Sequence, residues 1–261
     1  MTRIASVQLE IAADESKEER VRRAAAEVEA LAGRDLILLP EAWNVGYFNF
    51  ARYAAEAEPL DGPTISRLSD AARSAGAWVL AGSIIEQAGG QLFNTSVLLD
   101  RSGEIAATYR KIHLFGYGSQ ERALLARGEE VTVADTELGR IGLATCYDLR
   151  FPELFRAMAD RGAEIFGVVS AWPYPRVEAW TVFNRARAAE NQAWLISSNC
   201  AGGTPACCGR SMVVDPWGTA VAAAGDRPAT LTAEIDPRAA EAARSDFPAL
   251  ADRVFETGGM G

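Results

Sequence analysis

Histidine is nearly missing from this sequence: among 261 residues there is one, His113. A zinc site built mainly from imidazoles is therefore excluded. A Ser-His or Cys-His catalytic pair would have to use that one ring, so a nucleophilic enzyme of this composition draws its base from a carboxylate or a lysine. Clustered positive charge is also missing. The formal net charge is −9, and Arg20-Val21-Arg22-Arg23 lies beside Glu18, Glu19 and Glu27. Nucleic acid and anionic membrane need runs of Lys and Arg, so neither is expected as a partner. No apolar run reaches the ~18 residues of a membrane span. Met1-Thr2-Arg3 leads straight into a strand-like segment, without the separate apolar region of a secretory signal. The expected location is the cytoplasm, where Cys146, Cys200, Cys207 and Cys208 stay mostly reduced. Cys207 and Cys208 are adjacent, which suits neither pairing with each other nor metal-ligand spacing. No glycine-rich phosphate loop follows a strand, and Gly202-Gly203 alone reads as a turn. No cofactor and no metal is expected.

What is present is ordinary globular composition, 49% hydrophobic and 23% charged. A chain of this length can bury a sizeable core. Nothing resembles a linker or a repeat, so residues 1–261 are read as a single domain. Short β-rich runs alternate with helical ones. Strands are expected over 3–9, 35–39, 78–85, 92–99, 104–110, 139–145, 164–170, 193–198, 211–215 and 230–235. Helices are expected over 15–32, 64–75, 152–161, 177–191 and 239–244. Such alternation implies an α/β layered fold. Periodicity does not say whether the strands form one sheet or two.

Three strand ends carry unusual chemistry. Leu38-Leu39-Pro40-Glu41 places a carboxylate directly after a buried apolar strand. Burial there raises a carboxyl pKa and makes Glu41 a usable base; the alternative is an exposed loop residue. In Tyr109-Arg110-Lys111-Ile112-His113, Lys111 alternates with apolar neighbours at a strand end, and either points into a site or is solvated at the sheet edge. In Ile141-Gly142-Leu143-Ala144-Thr145-Cys146-Tyr147-Asp148, an apolar strand runs into Cys146 and a helix opens near Pro152. A helix start can favour a thiolate and hold an oxyanion; the alternative is a buried structural cysteine. Cys200, Cys207 and Cys208 lack such a frame and read as structural. The three places combine into one chemistry. Cleaving an amide with a thiol needs a base, an oxyanion binder and a proton donor for the leaving ammonia. Glu41 can move the proton, and Lys111 can hold the oxyanion together with the Tyr147 backbone N–H. No histidine is needed.

These blocks, with Arg185-Ala186-Arg187-Ala188-Ala189-Glu190-Asn191-Gln192 and Ser211-Met212-Val213-Val214-Asp215-Pro216-Trp217-Gly218, resemble the nitrilase superfamily of carbon–nitrogen hydrolases over nearly the whole chain, in order. The resemblance implies a four-layer α-β-β-α sandwich and a homodimer or higher homo-oligomer. It implies Glu41 as general base, Lys111 as stabiliser of the oxyanion and Cys146 as nucleophile. It also implies a second glutamate that holds Lys111. Glu121 is the best match, although its segment is shorter than in many relatives; Glu129 and Glu130 fit worse. His113 reads as structural. The Cys-Tyr-Asp-x-Arg-Phe block is similar to the ω-amidase and deaminated-glutathione-amidase branch, which hydrolyses small dicarboxylate monoamides. Arg150 is then the match for a clamp on the substrate's free carboxylate, the alternative being an ion pair with Asp148 or Glu153. Tyr47, Trp172 and Arg176 are candidates to line the pocket. Tyr174, and the absence of a histidine before Trp180, depart from many bacterial ω-amidases. N-carbamoyl-amine hydrolase and nitrilase activities use the same triad and stay open. So does a non-catalytic interaction module with a redox-sensitive Cys146.

Overall fold

The computed structural model describes residues 1–12 and 14–255. The domain expected over 1–261 thus includes Ala13 and residues 256–261, which lie outside the described residues. The strands are β1 (Thr2–Gln8), β2 (Leu36–Leu38), β3 (Trp78–Ala88), β4 (Gln91–Leu99), β5 (Ile105–Arg110), β6 (Val133–Thr136), β7 (Gly139–Thr145), β8 (Ile165–Ser170), β9 (Trp194–Asn199), β10 (Ala201–Gly202), β11 (Cys207–Cys208), β12 (Met212–Val214), β13 (Ala220–Ala223) and β14 (Ala229–Ile235). The helices are α1 (Lys17–Ala30), α2 (Tyr53–Glu56), α3 (Pro63–Ala75), α4 (Glu121–Leu124), α5 (Pro152–Asp160), α6 (Val177–Asn191) and α7 (Ala239–Asp246).

Among the described residues two six-stranded sheets form, in the orders β14-β1-β2-β3-β4-β5 and β13-β12-β9-β8-β7-β6. They face each other, β1 against β9, β3 against β8 and β4 against β7. Helices α1 and α3 pack together outside the first sheet, and α5 and α6 cover the second. This is the α-β-β-α sandwich, so the sheet number that periodicity left open is two. The apolar run at β2 shows why the layers stack. Leu36 and Leu38 enter the core shared with the second sheet. Ile37 and Leu39 point the other way, onto α1 and α3. A strand covered on both faces needs apolar side chains at every position. Hydroxyls also cross between the sheets: Ser6 Oγ donates to Ser197 O at 2.8 Å and Ser198 Oγ to Val7 O at 2.8 Å.

Local signals set the element ends. Ser16 caps α1 through a reciprocal pair with Glu19, each side chain accepting the other's backbone N–H. Pro63 opens α3, and Gly76, at φ 62°, closes it. Gly82 has φ 71°, and a Cβ there would meet Pro40 O at 2.0 Å. Glycine at this bulge of β3 lets the chain that carries Glu41 lie directly against the strand. Several elements lie outside the expected set: β6, the β10–β11 ribbon, β13 and the one-turn helices α2 and α4. All are edge strands or single turns, too short to show a period. No helix among the described residues is long and apolar enough to cross a membrane.

Candidate active site

Strands β2 and β3 run parallel, β3–β4–β5 form an antiparallel meander, and β7–β8–β9 run parallel. β5 therefore points the same way as β2, and Glu41 and Lys111 leave the same edge of the first sheet. Cys146 leaves the second sheet after β7, beside Ala171 and Trp172 after β8. The ends of central strands are where an open α/β sheet leaves room for a ligand.

Glu41, Lys111 and Glu121 are all 0% exposed. Lys111 Nζ lies 2.7 Å from Glu41 Oε1, and 2.9 and 3.1 Å from the two Glu121 oxygens. Lys111 is thus not solvated at the sheet edge, and Glu41 is not an exposed loop residue. Other donors hold the carboxylates. Ala171 N–H donates to Glu41 Oε2 at 2.8 Å, and Phe115 N–H to Glu121 Oε2 at 2.6 Å. Tyr47 OH donates to Glu121 Oε2 at 3.1 Å. The Tyr47 ring also receives Lys111 Nζ at 5.3 Å. The chain after Glu41 is held from outside by buried Arg20, which donates to Trp43 O and Asn44 O at 3.2 and 3.1 Å.

Sequence reasoning missed Asn94, whose Nδ2 donates to Glu41 Oε1 at 2.8 Å and to Glu121 Oε1 at 2.9 Å. The signal was in β4, where Asn94-Thr95-Ser96 is a polar run in the buried stretch of the strand. Asp148 was missed as well. It accepts from Tyr109 OH at 2.7 Å, Thr145 N–H at 2.9 Å and His113 N–H at 3.1 Å, and His113 Nδ1 lies 2.7 Å away. One buried carboxylate thus ties the segment carrying Lys111 to the turn carrying Cys146. His113 stacks on Phe151 at 3.8 Å and 6°, a structural placement. Asp148→Asn keeps one acceptor oxygen where two are used. It is expected to destabilise the fold by about 1–3 kcal/mol, read as a lower urea midpoint at unchanged slope.

Cys146 sits at φ 50°, a left-handed backbone at a non-glycine residue, and opens a 3₁₀ segment, Cys146–Arg150. Such strain persists where surrounding structure over-determines it, and here Asp148 supplies that restraint. Burial pushes the Cys146 thiol well up, the Glu41 carboxylate adds to the rise, and Lys111 opposes it. Burial also raises the Glu41 carboxyl above the usual range, with Lys111 pulling it back and Glu121 pushing it further. Burial disfavours the Lys111 charge, but Glu121 and Glu41 outweigh it and hold the ammonium firmly protonated. Glu41 and Glu121 thus share the Lys111 ammonium beside the Cys146 thiol. A proton moving from sulfur to Glu41 relieves the excess negative charge on the carboxylates.

Cys146 opens onto a cleft lined by Tyr47, Tyr147, Arg150, Trp172 and Arg176, among others. Asp148 is taken by its own partners, and Arg150 pairs with neither it nor Glu153 among the described residues. Its guanidinium instead lies over Trp172 at 5.0 Å and Phe183 at 5.2 Å. Arg176 lies over Phe115 and Tyr117 at 5.5 and 5.9 Å, its carbonyl held by Trp172 Nε1 at 2.9 Å. Cys200, Cys207 and Cys208 are free, buried thiols; Cys200 Sγ packs 3.8 Å from Glu41 O. Glu129 and Glu130 line a different cavity of about 750 Å³ with Glu86, Phe93 and Arg110. That cavity is larger, but none of Glu41, Lys111, Glu121 or Cys146 lines it.

The model of the carbon-nitrogen hydrolase family matches residues 3–245. The chain belongs to that family. This carbon–nitrogen hydrolase is 36% identical to 2-oxoglutaramate amidase of Paenarthrobacter nicotinovorans, over 96% of this chain and 88% of that protein. Its fold is similar to Saccharomyces cerevisiae Nit3, a member of branch 10 of the nitrilase superfamily, with TM-score 0.89, 30% identity and 97% of each chain covered. It is also similar to the amidase from Nesterenkonia sp. AN1, solved as its E41Q mutant with the acetamide moiety of fluoroacetamide covalently added at the active-site cysteine. That match has TM-score 0.85 and 27% identity, over 97% of this chain and 94% of the other.

Proposed function

We propose that this carbon–nitrogen hydrolase is an ω-amidase-like enzyme that releases ammonia from small dicarboxylate monoamides through a Cys146 thioester. The observation that carries this reading is that Cys146 and Arg150 open on one cleft, with the buried Glu41–Lys111–Glu121 cluster behind them. The name of the 2-oxoglutaramate amidase relative supports the substrate class.

In the first half-reaction the Cys146 proton passes to Glu41 and the thiolate attacks the amide carbon. The Lys111 ammonium and the Tyr147 N–H hold the oxyanion. The C–N bond breaks as Glu41 returns the proton to the leaving ammonia. In the second half, Glu41 takes a proton from water, which attacks the thioester; the C–S bond breaks and the sulfur regains its proton. Glu121 keeps Lys111 in place and charged. Arg150 takes the substrate's free carboxylate in its planar fork, and Tyr47, Trp172 and Arg176 line the acyl path. On this reading the enzyme works as a cytoplasmic homo-oligomer, which sedimentation and cell fractionation test.

The test is ammonia release from succinamate, 2-oxoglutaramate, a neutral aliphatic amide, an N-carbamoyl amino acid and a simple nitrile. Cys146-dependent release from the two carboxylated amides is the expected outcome. Release confined to the nitrile or the carbamoyl compound overturns the substrate class and keeps the triad. Arg150→Gln is expected to raise KM for succinamate about tenfold or more, the size of a charge-assisted hydrogen bond, and to leave the neutral amide unchanged. An equal change for both substrates removes Arg150 as the clamp.

A further inference from the structure

The mechanism above leaves one polar atom beside the nucleophile idle. Thr145 pairs with Val169 in parallel register, so the next residues, Cys146 and Ser170, leave β7 and β8 side by side. The Ser170 carbonyl accepts from Glu41 N–H at 3.3 Å and from Cys200 N–H at 3.1 Å. Ser170 is thereby fixed at the junction between base and nucleophile. It is 0% exposed, and its hydroxyl completes no hydrogen bond among the described residues. A buried polar group left without a partner carries a desolvation penalty, and such a group calls for a role in another state of the site. The register places Ser170 beside Cys146, and burial and Glu41 push the Cys146 thiol up while Lys111 and, less strongly, the Ser170 hydroxyl oppose the rise. A neutral thiol is a weak acceptor and a thiolate a strong one. That difference accounts for a contact that stays incomplete in the resting enzyme.

We propose, resting on the amidase reading, that Ser170 is a further catalytic residue whose hydroxyl donates to the Cys146 sulfur once the thiol proton has passed to Glu41. Ser170 keeps its own proton throughout. The proton leaves sulfur for Glu41, and the serine O–H turns to the new negative charge. The same bond re-forms when water cleaves the thioester and sulfur departs as the thiolate.

The experiment is alkylation of Cys146 by acrylamide, followed by mass spectrometry of the Cys146 peptide across pH, in wild type, Ser170→Ala and Ser170→Thr, with a melting curve for each. Ser170→Ala is expected to slow alkylation near neutral pH about tenfold and to move its pH profile upward. Its Tm is expected not to fall, because no completed side-chain hydrogen bond is lost. Ser170→Thr, which keeps the hydroxyl, is expected to restore the rate. An alkylation profile in Ser170→Ala equal to wild type overturns the proposal, as does a folded Ser170→Thr that stays slow. The amidase reading fails separately: wild type would then release no ammonia from succinamate, 2-oxoglutaramate or the neutral amide, whatever the alkylation profile of Ser170→Ala.

Discussion

Cys146→Ala is expected to lose ammonia release by about 10⁴-fold or more, the scale set by removal of a catalytic nucleophile. The loss should fall on kcat, since the carboxylate contact of the substrate at Arg150 remains. The fold should survive. Cys146 contributes one small side chain at the edge of the core, 8% exposed, and the turn around it is held by Asp148 rather than by sulfur. Circular dichroism and the melting temperature should therefore stay close to wild type. Turnover by a folded Cys146→Ala protein at anything near the wild-type rate would sink the thioester mechanism.

Lys111→Met should act on both activity and stability. It leaves Glu41 and Glu121, both fully buried, without the ammonium that lies 2.7 Å from one and 2.9 Å from the other. Removing one partner of a buried ionic cluster destabilises by about 3–5 kcal/mol, because the remaining charge keeps its desolvation penalty. The pH dependence follows in sign. Burial already raises the Glu41 carboxyl, with Lys111 pulling it back; without Lys111 its folded-state pKa stands further above the unfolded value. The folded variant then binds protons more tightly than the unfolded chain. Its stability is greatest below the unfolded carboxyl range and is lost as pH rises through the raised folded-state value of Glu41. Urea midpoints of the variant should fall from mildly acidic to mildly alkaline pH, relative to wild type over the same range. Equal midpoints for the two proteins at alkaline pH would show that Lys111 does not balance the buried carboxylates.

The principal groups of this candidate site were legible in the sequence because each follows a strand. Glu41 comes after Leu36–Leu38, Lys111 after β5 and Cys146 after β7, so the pattern that marks a strand also marks where it stops. Glu121 was harder, since it stands on a single helical turn, α4, with no period to place it. Asn94 and Asp148 went unrecognised for a different reason. Each is one polar residue whose meaning depends on partners far along the chain: Asn94 bonds Glu41 across 53 positions and Glu121 across 27, and Asp148 bonds Tyr109 across 39. Arg150 illustrates the same limit. Spacing offered it Asp148 or Glu153, and the packed protein gives Asp148 to Tyr109, Thr145 and His113 while laying Arg150 over aromatic rings.

The sequence by itself determined the alternation of strands and helices and the strand ends that bear the acid, the amine and the thiol, and its single histidine led to the proposal of a mechanism without an imidazole base. Those features are local, set by side-chain period, by proline and glycine at element ends, and by composition. Tertiary structure bore out the two packed sheets that the resemblance implied and periodicity left open, and it alone decided how their strand ends meet and that Lys111, between Glu41 and Glu121, is out of contact with water. Burial, pKa and pairing are properties of what the packed chain brings around a group, and none of them is written in the residues on either side of it.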